Sequence, residues 1–184
     1  MKNKVIGIHG FARSGKDTVA DYILDSDDTI LKYSFANPLK TAVSSLFNIP
    51  REELDGDNRE EILPEWGLSI RQILQRFGTE SMRNVFGDDF WIKKAQHSVD
   101  EALGDSEYSV IISDVRFENE ADFCRNNGIL IYIERPDADG VVGDIGHASE
   151  SGVNLNTSDY YINNDGTLEE LYEKVDVILR EINE

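Results

Sequence analysis

Val5 to Thr18 reads VIGIHGFARSGKDT, and this stretch decides the fold. VIGIH is a short apolar run with β-branched residues that ends at glycine, the pattern of a strand buried in a parallel sheet. From Asp17 onward, Val19, Ala20, Ile23 and Leu24 recur at helical spacing. Between strand and helix, Gly10-Phe11-Ala12-Arg13-Ser14-Gly15-Lys16 has the G-x-x-x-x-G-K spacing of a Walker A phosphate loop. Gly10 and Gly15 let the backbone curl, so that Arg13, Ser14 and their neighbours turn N–H groups toward phosphate oxygens while the helix start adds its positive end. Lys16 is then placed to reach the β- and γ-phosphates. The loop departs from the general pattern at Asp17, where Ser or Thr is usual, with Thr18 one place later. Asp17 either ligates Mg2+, directly or through water, or caps the helix start, where negative charge is favoured. Thr18 is expected against a more distal part of the phosphate chain.

Outward from this loop the pattern alternates. Thr29–Phe35 is expected as a second strand, and Asn37-Pro38 opens a helix whose apolar face is Leu39, Ala42, Val43 and Leu46, ending near Asn48. Residues 51–65 are acidic and polar, a loop or short exposed helix. Ser69 with Gln72 forms a capping box for a helix to about Arg76, and another helix is expected from about Asp89 to Leu103. Tyr108–Ser113 and Ile129–Glu134 read as buried strands on either side of a helix from Glu118 to Asn127 that Gly128 stops. Residues 136–152 hold Pro136, Gly140, Gly143, Gly146 and Gly152 without apolar periodicity, a long loop. A short strand at Tyr160–Ile162 precedes a helix capped by Thr167, with Leu168, Leu171, Val175, Ile178 and Leu179 facing inward. The expected architecture is α/β, a mostly parallel sheet of about five strands with helices on both faces. The organisation is read as a single domain over 1–184, with a helical insertion at about 51–104 and a lid-like loop at about 135–152.

Composition narrows the partners. The 184 residues carry 18 basic and 36 acidic side chains, a net charge of −18, and this field opposes a long nucleic acid. Residues 1–92 hold 11 basic and 15 acidic side chains, so the acidic surplus lies mainly in the second half. Any anion is therefore expected against the first half. No apolar run reaches membrane-spanning length, the N-terminal MKNKVIGIHG enters a strand pattern with no signal-peptide layout, and Cys124 stands alone, so a cytoplasmic protein is expected.

A small kinase fits these bounds better than a GTPase or a helicase. No guanine-reading N-K-x-D appears in that role, and motor ATPases need a larger core and usually a basic track. A kinase also needs cations on the acceptor side, because phosphoryl transfer is mostly positioning and charge stabilisation. Ser69 to Trp91 offers Arg71, Arg76 and Arg83 amid Gln72, Gln75, Thr79 and Glu80. These either bind the acceptor's phosphate and base or form a solvated helical face. Trp91 either stacks on a base or belongs to the core. In VIISDVR, Asp114 ends a buried strand, where it would hold Mg2+ through water, orient the acceptor, or cap the next helix, and Arg116 is placed to reach a phosphate. Arg135 is either a lid cation over ATP or a solvated arginine.

Taken together, GFARSGKDTVADYI, SFANPLK (Ser34–Lys40), RQILQRFGTE with Arg83 and DFWI, ISDVRFENE (Ile112–Glu120) and HASE (His147–Glu150) resemble the bacteriophage deoxynucleoside monophosphate kinase family, in family order over nearly the whole chain. The GKDT form is similar to that family's own loop. The resemblance implies a P-loop kinase fold, ATP and Mg2+ as cofactors, and transfer of the γ-phosphate of ATP to a deoxynucleoside monophosphate in an infected host's cytoplasm. It implies that Lys16 and its loop hold ATP, that Arg71, Gln72 and Arg76 lie near the acceptor with Lys40 of SFANPLK, and it allows a homodimer. His147 of HASE either orders the lid or is a surface histidine. Kinases of dephospho-coenzyme A or phosphomevalonate, and a non-catalytic ATP-binding protein, are the alternatives.

Overall fold

The computed structural model describes residues 4–104, 108–136 and 152–183. Most of the expected lid-like loop, with His147 and the HASE segment, lies outside the described residues. In chain order the elements are β1 (Val5–His9), α1 (Lys16–Ser26), β2 (Ile30–Tyr33), α2 (Ala36–Phe47), α3 (Arg51–Asp55), β3 (Ile62–Leu63), β4 (Leu68–Ser69) and α4 (Ile70–Gln75). A π-helical segment (Arg76–Arg83) follows, then α5 (Asn84–Phe86), α6 (Phe90–Gly104), β5 (Ser109–Val115), α7 (Glu118–Asn127), β6 (Gly128–Glu134), β7 (Tyr160–Asn163) and α8 (Leu168–Glu181). Two compact units result, one from residues 1–33 and 96–184, the other from residues 34–95. The second unit thus begins at Ser34, well before the expected insertion boundary near 51, and ends at Ala95.

The first unit is built on a parallel sheet in the order β2-β5-β1-β6-β7. Every residue of β1 is buried, as its unbroken apolar run requires. On one face, Ile6 and Ile8 pack with Val19, Ala20 and Ile23 of α1 and with Leu171, Val175 and Ile178 of α8. On the other, α7 comes so close to β1 that a Cβ at Gly7 would stand 2.6 Å from Cys124. Cys124 itself is fully buried, and burial pushes its thiol pKa up, which keeps it unreactive. Among the described residues no helix is long and apolar enough to cross a membrane.

Strand order places the site. β1 lies between β5 and β6; the connection that leaves β1 runs to β2 on one side and the one that leaves neighbouring β5 runs to β6 on the other, and such a switch point opens a crevice at the C-terminal strand ends. The register pairs Gly7 with Ile112 and then His9 with Val115, so two steps along β1 face three along β5. This bulge falls where Ser113 and Asp114 lie.

The second unit has its own core of Val43, Ile49, Leu54, Ile70 and Ile73. Residues 51–65, read from sequence as loop or short helix, form α3 and then β3, which pairs antiparallel with β4. The expected apolar face of α2 is corrected at one position. Leu46 is exposed, because Leu39, Val43 and Phe47, at i, i+4 and i+8, form the packed stripe. Leu168 is similarly half-exposed as the first residue of α8, and the buried stripe of that helix begins at Leu171. Both capping boxes form, Ser69 with Gln72 and Thr167 with Glu170.

Candidate active site

The phosphate loop is curled and closely supported. Gly15, which precedes α1, has φ 99°, and Arg13 has φ 63°, so two loop residues adopt the left-handed conformation that turns consecutive N–H groups inward. A left-handed arginine is strained, and such strain gathers at ligand sites. Gly10 admits no side chain, since a Cβ there would stand 2.7 Å from the Ile133 carbonyl oxygen and closer still to Ser14 Oγ. Among the described residues no side chain caps the start of α1, and buried Ser14 Oγ has no hydrogen-bond partner. The Ser14 backbone N–H is spent on the Phe11 carbonyl at 3.1 Å, so the loop leaves open the uncapped start of α1 and the Ser14 hydroxyl, and both suit a phosphate.

Lys16 begins α1 with its side chain largely covered, and its Nζ is 3.5 Å from Asp17 Oδ2. The Asp17 side chain is 72% exposed, so this pairing is weak and leaves the ammonium available. Thr18 is half-buried one position further on. Asn164 closes the loop from the far end of the sequence. Its Nδ2 donates to the Ser14 carbonyl at 2.9 Å, and its backbone N–H donates to the Glu134 carbonyl at 2.7 Å.

Asp114 lies near the C-terminal end of β5, beside the strand that carries the loop. Burial raises the pKa of Tyr33, at the end of β2, and the negative charge of Asp114 on the adjacent strand β5 adds to the shift. The turn after Asp114 is fixed by buried Glu120, whose Oε2 accepts from the backbone N–H groups of Arg116 at 2.9 Å and Phe117 at 3.1 Å. Arg116 is exposed, as is Arg135 just past β6. Among the described residues no group of three or more His, Cys, Asp or Glu side chains could hold a metal. One or two carboxylates, Asp17 and Asp114, fit the sparse protein ligation that Mg2+ accepts when phosphates complete its shell.

The acceptor-side candidates lie in the second unit, and most are already engaged. Lys40 Nζ bonds Asp55 Oδ1 at 2.5 Å, and Arg51 Nε bonds Asp55 Oδ2 at 2.9 Å. Lys40 first, then Arg51, holds the Asp55 carboxyl below its ordinary pKa. Arg71 pairs with Glu60. Gln72 Oε1 accepts from the Ser69 backbone N–H at 3.0 Å, so this side chain serves the helix cap. Arg76 is exposed and Thr79 half-buried on the π-helical segment, while Arg83 at its end is buried. A π-helical stretch is uncommon and frequent at functional sites.

Of the two readings of Trp91, its surroundings favour the core. It is 8% exposed, and its Nε1 donates to the Gly78 carbonyl at 3.0 Å, a bond that ties α6 to the π-helical segment. The same segment presses on α2, where a Cβ at Gly78 would meet Leu39 at 2.9 Å. Sequence reasoning missed Asn164 and Glu120, whose partners lie 150 and 4 residues away, and it passed over His9 as part of a strand. Only Glu120 carried a signal, since it stands in a segment that reads as a helix start.

A curled phosphate loop between β1 and α1, at the switch point of a parallel sheet and beside a strand-end acid, defines a P-loop protein of the small-kinase type. A solved structure from Chloroflexus aurantiacus, provisionally titled a kinase, shares this fold with a TM-score of 0.51 at 13% identity, covering 100% of this chain and 98% of that one. The sequence profile of the deoxynucleotide monophosphate kinase family matches residues 4–63 and 56–175, and the chain belongs to that family. An Acanthamoeba polyphaga mimivirus protein provisionally named a deoxynucleotide monophosphate kinase is 34% identical, covering 93% of each chain. The deoxynucleotide monophosphate kinase of Enterobacteria phage T4 is 25% identical, covering 94% of this chain and 97% of its own.

Proposed function

We propose that this kinase transfers the γ-phosphate of ATP to a deoxynucleoside monophosphate, giving the diphosphate. The phosphate loop carries this reading. Its left-handed Arg13 and Gly15, open helix start and buried Ser14 hydroxyl form a site organised before any ligand arrives. Donors already aimed at developing charge need no reorganisation in the transition state.

In this reading Gly10, Arg13, Ser14, Gly15 and Thr18 bind the donor phosphates, and Lys16 stabilises the charge that spreads over the moving phosphoryl group. Asp17 and Asp114 would hold Mg2+, which when bound neutralises the oxygens of the phosphate chain. Arg116 and Arg135 supply further positive charge from the strand ends of the first unit. Lys40, Arg71, Arg76, Thr79 and Arg83 of the second unit take the acceptor. Lys40 and Arg71 exchange Asp55 and Glu60 for the acceptor's phosphate, so the carboxylates act as stand-ins that keep these side chains placed.

The test is ADP release over a panel of phosphorylated acceptors, with ATP and Mg2+. Turnover with a deoxynucleoside monophosphate is expected. Turnover only with dephospho-coenzyme A or phosphomevalonate, or ATP binding without turnover on any acceptor, would refute the assignment.

A further inference from the structure

His9 is the last residue of β1 and immediately precedes the phosphate loop. Its side chain is buried, 3% exposed, in a position where an aliphatic residue would fill the space without polar cost. Its Nδ1 lies 2.8 Å from the carbonyl oxygen of Val115 on the neighbouring strand. A carbonyl only accepts, so Nδ1 carries the proton and the ring is the Nδ1–H tautomer. Nε2 is then a lone-pair acceptor, and among the described residues it has no partner. The ring touches Phe11 of the phosphate loop at a centroid separation of 5.9 Å and Tyr132 of β6 at 5.0 Å. Burial lowers the pKa of the imidazole, with Lys16 and Arg125 adding to the effect against the Val115 bond and Glu118, so the ring is neutral at pH 7.

The position of this bond gives it meaning. The β1–β5 ladder shifts register between Gly7 and His9 and pairs again at His9 and Val115, so the ladder is disturbed at the joint where the two strands deliver their functional residues. One strand ends in the phosphate loop, the other in Asp114 and Arg116. The His9 bond closes the joint just past the bulge, and the ring's edge contact carries that constraint to Phe11. A buried ring kept with one nitrogen unpaired breaks a local packing rule, and such breaks collect at functional sites.

We propose that His9 is a positioning residue that sets the phosphate loop against the strand end bearing Asp114 and Arg116, through the bond from Nδ1–H to the Val115 carbonyl. It touches no reacting atom. The proposal rests on the donor-site reading above and is independent of which acceptor the enzyme takes.

The experiment compares His9→Asn, His9→Gln and His9→Leu with the unaltered protein. The short asparagine amide can place an N–H where Nδ1 stands, the longer glutamine amide reaches toward Nε2, and leucine fills space with no donor. With Mg2+ present, ATP affinity by calorimetry and the steady-state KM for ATP are measured below the unfolding temperature of every variant. His9→Leu and His9→Gln are expected to weaken ATP binding on the order of tenfold, the scale of one buried hydrogen bond, with acceptor KM unchanged. His9→Asn is expected to restore most of the loss. Equal ATP affinity in the Leu and Asn variants would overturn the proposal, because packing and not the donor would then matter. Should His9→Leu fail to fold, the Asn and Gln pair makes the same comparison. The 15N imidazole spectrum of the unaltered protein gives a second readout, where a neutral Nε2–H tautomer for His9 would also overturn it. Failure of the kinase reading looks different, with ATP bound and the variant order kept but no acceptor phosphorylated.

Discussion

The two compact units hold their cations in opposite ways. In the first, Lys16 begins α1 beside a loop whose Ser14 hydroxyl has no partner among the described residues, and it pairs only weakly with exposed Asp17. In the second, Lys40 and Arg71 are each bound to a carboxylate, and Gln72 is bound into a helix cap. If the second unit takes the acceptor as proposed, the acceptor's phosphate would displace these local acids. Such exposed ion pairs cost little to break, since surface pairs contribute only about 0–1 kcal/mol.

The sharpest way to break this comparison is Lys16→Ala. It removes charge stabilisation, so kcat should fall by about 100-fold to 1,000-fold while circular dichroism shows the fold retained. Normal turnover would show that the loop is not the donor site. Gly10→Ala comes next. The added Cβ collides with the Ile133 backbone, so the variant should lose about 1–3 kcal/mol of stability in denaturant unfolding and bind ATP poorly. A variant of unchanged stability would mean that the close approach is slack.

The acceptor side should respond through KM. Arg71→Ala and Arg76→Ala should each raise the acceptor KM about tenfold, the scale of a charge-assisted hydrogen bond, and leave the KM for ATP alone. Glu60→Gln sharpens the contrast, because it loosens the Arg71 stand-in and should lower the acceptor KM by a few-fold. Unchanged acceptor KM in both arginine variants would remove them from the site.

The smallest expected effect is in stability against pH. The folded pKa of His9 lies below its unfolded value of about 6.5, so the unfolded chain takes up the proton first. Stability is therefore full above pH 6.5 and falls as the pH drops through that value. The carboxylates with lowered pKa, such as Asp27 and Asp55, begin to cost stability only at more acid pH. His9→Asn should flatten the first part of the fall, as unfolding in denaturant at pH 7 and pH 5.5 will show.

The first unit was largely legible in the sequence, because its information is local. VIGIH, the glycine spacing and the helical period after Asp17 each specify a short piece of backbone, and the pieces follow one another without a gap. The Ser69 and Thr167 caps were legible for the same reason. What escaped depends on distant partners. Asn164 reaches Ser14 across 150 residues, and nothing in NNDGT signals that contact. The β3–β4 pair was hidden because strands of two residues show no period. In the arginine-rich segment the helical period reaches only to about Arg76, where α4 ends. RFGTESMR continues as π-helix, whose pitch no 3.6-residue pattern announces, and Arg83 at its end is buried. Whether an arginine there meets an acid, as Arg71 meets Glu60, rests on a pairing between residues 11 apart that no short motif records.

Transfer of a phosphoryl group to a mononucleotide is the proposed reaction on which every other expectation depends. ATP labelled in its γ-phosphate, incubated with the protein, Mg2+ and each common deoxynucleoside monophosphate, tests it most directly, with the nucleotide products separated and counted. Label appearing in a deoxynucleoside diphosphate, and absent with Lys16→Ala, is the predicted result. Label that remains in ATP, or appears only as free phosphate with every acceptor, would contradict it.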